Sequence, residues 1–140
     1  MYMLDTDHIS LLDRGGREGQ RIRANLAPIA PDEVAASIVS YEEQMRGWIS
    51  TIARARLAER QVPFYRELEW LLRFYSITPL LPFDEAAAAV FDSLKQTRVR
   101  MGTMDLKIAA IALANDATLL SRNLSDFRRV PGLTVEDWTI

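Results

Sequence analysis

Three carboxylates interrupt apolar sequence where a charge is expensive to place. Met1–Ser10 reads MYMLDTDHIS, and the run Tyr2-Met3-Leu4, suited to a buried strand, ends abruptly in Asp5, with Thr6, Asp7 and His8 behind it. A buried strand that ends in a carboxylate aims it at the carboxyl edge of a sheet, where open α/β folds bind their ligands. The same Asp5 or Asp7 also suits the cap of a following helix. Glu42, in SYEEQMRG, falls at the edge of a helical stripe of Tyr41, Met45, Trp48, Ile49 and Ile52. A glutamate pressed against a buried face needs a reason, such as a metal ion or a basic partner. Asp105, in GTMDLKIAAIALAND, shares a face with Ile108, Ala109 and Ala112 in a helix apolar from Ile108 to Ala114. It also suits the helix dipole, but so buried a helix offers few solvated places for a charge. A fourth polar group, Ser121 to Asp126, follows a short strand, and Asn123 and Asp126 there serve equally well as turn residues or as ligands.

Composition narrows the chemistry. The 140 residues suit one domain spanning 1–140 with a sizeable core, and 49% of them are hydrophobic. A net charge of -2 excludes a strongly basic, histone-like binder but leaves room for acidic sites beside a basic rim. With no cysteine there is no disulfide, zinc–thiolate site or thiol nucleophile, and a single histidine, His8, excludes chemistry needing two imidazoles. The absence of cysteine fits a cytoplasmic chain. No signal peptide precedes Tyr2, and no apolar run reaches membrane-spanning length, so no membrane association is expected.

The elements that must position these groups alternate. Strands are expected at Tyr2–Leu4, Val34–Val39, Ile77–Phe83, Thr118–Leu120 and Leu133–Val135. After Asp5, a short helix should stop near Gly15-Gly16. Arg14, Arg17, Arg21 and Arg23 follow as a basic rim or a solvated helix face. Ser40 with Glu43 reads as a capping box opening the next helix, which gives Glu43 a local structural job and leaves Glu42 without one. Pro63 suits the start of a further helix, whose stripe Phe64, Leu68, Leu71, Leu72 and Tyr75 should pair with its predecessor as an antiparallel hairpin; their spare aromatic surface could be core or a dimer interface, and core is the expectation. Asp84 caps a helix through Leu94. This alternation implies a three-layer α/β/α sandwich with a mainly parallel central sheet.

Strand-then-LDTDH, Glu42 in SYEEQMRG, Asp105 in MDLKIAA, and SRNLSDF before PGLTVEDW together resemble the PIN-domain family, with the nearest likeness to toxin ribonucleases of the VapC type. The resemblance spans the whole chain with its motifs in order. It implies that Asp5, Glu42 and Asp105 converge to hold one or two Mg²⁺ or Mn²⁺ ions, with Asn123 or Asp126 as a fourth position. Thr6, Asp7 and Ser121 would be supporting polar groups. All-oxygen donors suit these hard cations and suit zinc or copper poorly. The implied activity is metal-dependent endoribonuclease chemistry leaving 5′-phosphate and 3′-hydroxyl ends, on RNA such as transfer RNA. The implied partners are a second copy of the chain and a small antitoxin protein. Arg14, Arg46, Lys107 and Arg122, close in sequence to the carboxylates, are expected to touch RNA phosphates. Two other readings fit parts of the chain. One is a catalytically silent PIN-like module that binds RNA or protein. The other is a haloacid-dehalogenase-like phosphatase with Asp5 as nucleophile, though Ile9 and Leu106 depart from that pattern.

Overall fold

The computed structural model describes all 140 residues. Its centre is a five-stranded, wholly parallel sheet in the order β3-β2-β1-β4-β5. The strands are β1 (Tyr2–Leu4), β2 (Val34–Ser37), β3 (Leu80–Leu81), β4 (Thr118–Leu120) and β5 (Val135–Glu136). The helices are α1 (Thr6–Arg14), α2 (Gly16–Leu26), α3 (Ile38–Arg54), α4 (Ala58–Ile77), α5 (Glu85–Gln96), α6 (Thr103–Ala114) and the single turn α7 (Leu124–Phe127).

Alternation along the strands divides the interior in two. Met3 and Leu119 point into one core with α5 and α6. Leu4, Ala36 and Leu120, one residue further along, point into the other with α1 and α2. A period of two on a sheet covered on both faces requires this arrangement. It gives the three layers and the parallel sheet implied by the alternating elements.

Beyond Lys107 α6 carries no polar residue, and Leu106 and Ile108–Ala112 are all buried. Asp84 caps α5 by accepting the Ala87 amide at 3.0 Å. At the α1–α2 corner Gly15 and Gly16 both take positive φ, which side chains other than glycine seldom tolerate.

The hairpin departs from the expected outline. α4 begins at Ala58, not at Pro63, which lies inside it. The extra turn is anchored by the Gln61 side chain, whose amide donates to the carbonyls of Ile52 and Ala55 at 3.0 Å each. Gln61 thereby adds a second donor to the Ile52 carbonyl, which also accepts the Ala55 amide at 3.1 Å, and gives the Ala55 carbonyl a donor at the end of α3. Tyr41 meets Tyr75 and Trp48 meets Phe64, so α3 and α4 do run antiparallel. The α4 stripe, however, is not core: Leu71 alone is buried, and Leu72 remains 68% exposed. α4 packs on α3 and part of the α1 face, and its outer side has no neighbour in the chain.

Two glycines make the packing testable. A Cβ on Gly19 would stand 2.5 Å from the Leu11 carbonyl oxygen, whereas one on Gly47 would meet nothing within 4 Å. Gly19→Ala should therefore cost about 1–3 kcal/mol by overpacking. Gly47→Ala should add about 0.5–1 kcal/mol through helix propensity. Urea denaturation of the two variants measures both signs.

Candidate active site

The carboxyl ends of β1 and β4 lie side by side where the strand order reverses, the position at which such sheets leave an open crevice. A cavity of about 290 Å³ opens there, lined by Asp5, Thr6, Asp7, Glu43, Asp105, Ile108, Arg122, Asn123 and Phe127.

Asp5 is fixed from two directions. Its backbone amide donates to Leu120 in β4 at 3.0 Å. Its Oδ1 accepts the His8 amide at 2.8 Å, making it the N-cap of α1. The cap and site readings of Asp5 are thus both realised, by its two oxygens: Oδ1 caps, and Oδ2 remains for the cavity. His8 is fully buried behind it. Its Nε2 accepts the Trp138 amide at 3.3 Å, which places the ring proton on Nδ1, 3.5 Å from Asp5 Oδ1. Nδ1 itself has no hydrogen-bond partner, so the only imidazole packs behind Asp5 without holding it, and it does not line the cavity.

The glutamate in the cavity is Glu43. Glu42 points elsewhere: its carboxylate pairs with Arg46 at 2.7 Å and lines a separate groove with Met45, Ile49, Phe83 and Lys107. The expectation for Glu42 is corrected by the cap of α3. Ser37, not Ser40, is the N-cap and accepts the Ser40 amide at 3.0 Å. Glu43 is therefore free of any capping box. Tyr41 and Trp48 of the apolar stripe face α4 and Met45 and Ile49 line the groove beside Phe83, while the small polar stripe Ser40, Gln44, Gly47 and Thr51 turns toward α1. Glu43 flanks that polar stripe, opposite the apolar one. Thr6 Oγ1 holds Glu43 Oε1 at 2.7 Å and contacts Ser40 Oγ at 3.0 Å. Two signals in the sequence mark this arrangement: a serine pair at i, i+3 directly after a strand, and a polar stripe at helical spacing.

Asp105 enters from the first turn of α6 and is half-buried. Its carboxyl is pushed above the usual aspartate range, mainly by burial and then by the charges of Glu43, Asp5 and Asp126. Asp126 does not line the cavity. It accepts the Asn123 amide group at 3.0 Å, and Arg129 lies 4.0 Å from it. Asn123 is thus the member of that pair that lines the cavity. Ser121 is fully buried and its hydroxyl accepts the Asn123 amide, so it shapes the loop.

Of the four expected phosphate contacts only Arg122 reaches the cavity, where it forks onto Asp7 at 2.5 and 2.9 Å. That hydrogen bond raises its already high pKa further. Arg46 is taken by Glu42, and Lys107 lies over the Phe83 ring at 5.5 Å. Arg14 sits at the far end of α1 near Glu67, whose carboxyl is pushed up to about 7, chiefly by its hydrogen bond with Asp13.

The donors facing the cavity are carboxylate, hydroxyl and amide oxygens, with no sulfur and no free imidazole. This set fits a hard divalent cation. As the side chains lie, no three acidic groups stand close enough together to hold an ion. They line one cavity without converging on a common point.

The description "PIN domain" matches residues 2–133 of the chain. Ribonuclease VapC2 of Rickettsia felis is 42% identical over 45 residues, 32% of this chain and 34% of that protein, so this match spans about a third of its length. The tRNA(fMet)-specific endonuclease VapC of Salmonella typhimurium is 27% identical over 98% of this chain and 97% of its own. A toxin–antitoxin complex from Klebsiella pneumoniae superposes with a TM-score of 0.67 at 22% identity, covering 99% of this chain and 98% of that one; at that identity the likeness concerns the fold.

Because the Asp105 pKa is raised in the folded chain, its contribution to stability falls as pH rises above the ordinary aspartate range. Asp105→Asn should raise the melting temperature at neutral pH and flatten that fall. Thermal melts between roughly pH 4 and 8 measure both effects.

Proposed function

The chain belongs to the PIN-domain family, and from that premise we propose that it is an endoribonuclease, the toxin of a toxin–antitoxin pair, hydrolysing RNA phosphodiesters with Mg²⁺ or Mn²⁺. One observation carries the reading. Asp5, Glu43 and Asp105, brought from β1, α3 and α6, line a single cavity at the carboxyl edge of the sheet. These three would hold the ion, with Asn123 as a neutral oxygen beside them. Bound there, the ion supplies Lewis acidity, which acidifies an attacking water and offsets charge on the leaving oxygen.

The remaining work falls to the chain. Thr6 orients Glu43, and the His8 amide orients Asp5, so two of the three carboxylates are aimed before any substrate arrives. Arg122 stands on the rim with its guanidinium on Asp7, positioned to meet a phosphate. With His8 buried behind Asp5, no imidazole is left to work through the ribose 2′-hydroxyl. Water adds to phosphorus, the 3′-oxygen leaves with a proton, and the ends are 5′-phosphate and 3′-hydroxyl.

The name of the Salmonella relative supports RNA, and transfer RNA among RNAs, as substrate. The Klebsiella complex supports an antitoxin as partner. The exposed apolar side of α4 supports self-association as a homodimer. No helix is long and apolar enough to cross a membrane, and a cytoplasmic site of action is part of the same proposal.

Cleavage of a transfer-RNA mixture should require Mg²⁺ or Mn²⁺ and stop with chelator. Loss of residues that merely orient metal ligands costs about 10–100-fold. Asp5→Asn, Glu43→Gln and Asp105→Asn should therefore each lower the rate by at least about 100-fold. Glu42→Gln should stay near the parent rate. Metal-independent cleavage, or 2′,3′-cyclic phosphate products, would contradict the proposal, and binding without cleavage would favour the silent module.

A further inference from the structure

Two further openings continue the carboxylate cavity along α3. A trough of about 300 Å³ shares Thr6 and Glu43 with it and runs past Gln44, Gly47 and Trp48 to Thr51. At Thr51 the trough meets a larger opening, about 670 Å³, at the α3–α4 turn, ringed by Arg54, Arg56 and Arg60 with Phe64 in its wall. From Glu43 to Arg54 the path follows eleven residues of helix, about 16 Å.

The far end is positive and uncommitted. The ion pairs of the chain involve Arg46, Arg122 and Arg129 among its arginines, and none of the three at the turn. Arg54 makes one long side-chain hydrogen bond, 3.5 Å, to the Thr51 hydroxyl. All three are exposed. Three arginines with one carboxylate, Glu59, among them leave this seven-residue turn net positive, and such a group is stabilised by an anion. Between the two ends the lining is polar apart from Trp48, whose indole stacks on Phe64 at 5.9 Å. The trough stays open at Gly47, where a Cβ would meet nothing within 4 Å.

We propose that this trough is the bed of the RNA strand, with Arg54, Arg56 and Arg60 gripping backbone phosphates a few nucleotides from the carboxylates. The identity of the strand rests on the nuclease reading above. The far opening carries Leu57 and Phe64 beside its arginines, but from Thr6 to Thr51 the trough offers a protein segment no apolar anchor except Trp48, whereas a single strand uses cations for its phosphates and an aromatic face for its bases. Arginine–phosphate contacts position the strand without reading its sequence.

The test is fluorescence anisotropy with a labelled, mixed-sequence single-stranded RNA about 12 nucleotides long. It is performed on the full chain carrying Asp105→Asn, so that cleavage does not interfere. Combined Arg54→Gln, Arg56→Gln and Arg60→Gln should weaken binding at least about tenfold and flatten the slope of log affinity against log salt by about two. Gly47→Leu, which fills the trough without changing charge, should also weaken binding, and thermal melts report that each variant is folded. Unchanged affinity and slope in the triple variant, or unchanged affinity in Gly47→Leu, would overturn the proposal. So would poly-glutamate binding as tightly as RNA with the same loss in the triple variant, which would reassign the arginines to an acidic protein segment. Cleavage is scored separately on the chain with Asp105 intact. If RNA binds along the trough and is never cut, the nuclease reading fails and the trough stands.

Discussion

Like charges crowded at the end of a parallel sheet are the constraint on which this molecule turns. Asp5, Glu43 and Asp105 share one cavity, Asp126 lies outside its lining, and Asp105 is pushed toward its protonated form by burial and by the others. The chain restrains them with neutral partners: a backbone amide on Asp5 and a threonine hydroxyl on Glu43. The single guanidinium at the cavity, Arg122, is committed to Asp7. Such a site costs stability, and the cost is offset by two apolar cores, one on each face of the sheet. A divalent cation would reverse the sign of the problem, turning repulsion into a shared ligand field.

α3 shows how one helix serves two neighbours. Its apolar side carries Tyr41 and Trp48 against Tyr75 and Phe64 of α4. Its small polar side, with Gln44 held between Ser10 and the Tyr75 hydroxyl, turns toward α1 and the cavity. The acidic site and the arginine-ringed opening therefore lie along one helix, and a rigid element sets the distance between them. In this arrangement the hairpin is a ruler for whatever lies along it.

Much of this could be read from the residues. The strand ending in Asp5, the buried helix that begins near Asp105 and the Asp84 cap all follow from local pattern, because apolar period and cap chemistry act over a few residues. Glu43 did not follow. Two serines three apart compete for one cap, and the choice between them is settled by where β2 ends, which is a property of the sheet. Once Ser37 caps α3, Glu43 is released to the cavity and Glu42 finds Arg46 one turn on. The α4 stripe misleads for a related reason: periodicity identifies an apolar face and is silent on what covers it. Arg14, Arg46 and Lys107 show that nearness in sequence to a site residue is not nearness in space.

The central claim is spatial, and manganese can test it directly. Crystals of the chain grown with Mn²⁺ and measured at the manganese absorption edge should give an anomalous peak within coordination distance of Asp5, Glu43 and Asp105. A peak on Glu42, or no peak between these three carboxylates at saturating Mn²⁺, would contradict the account.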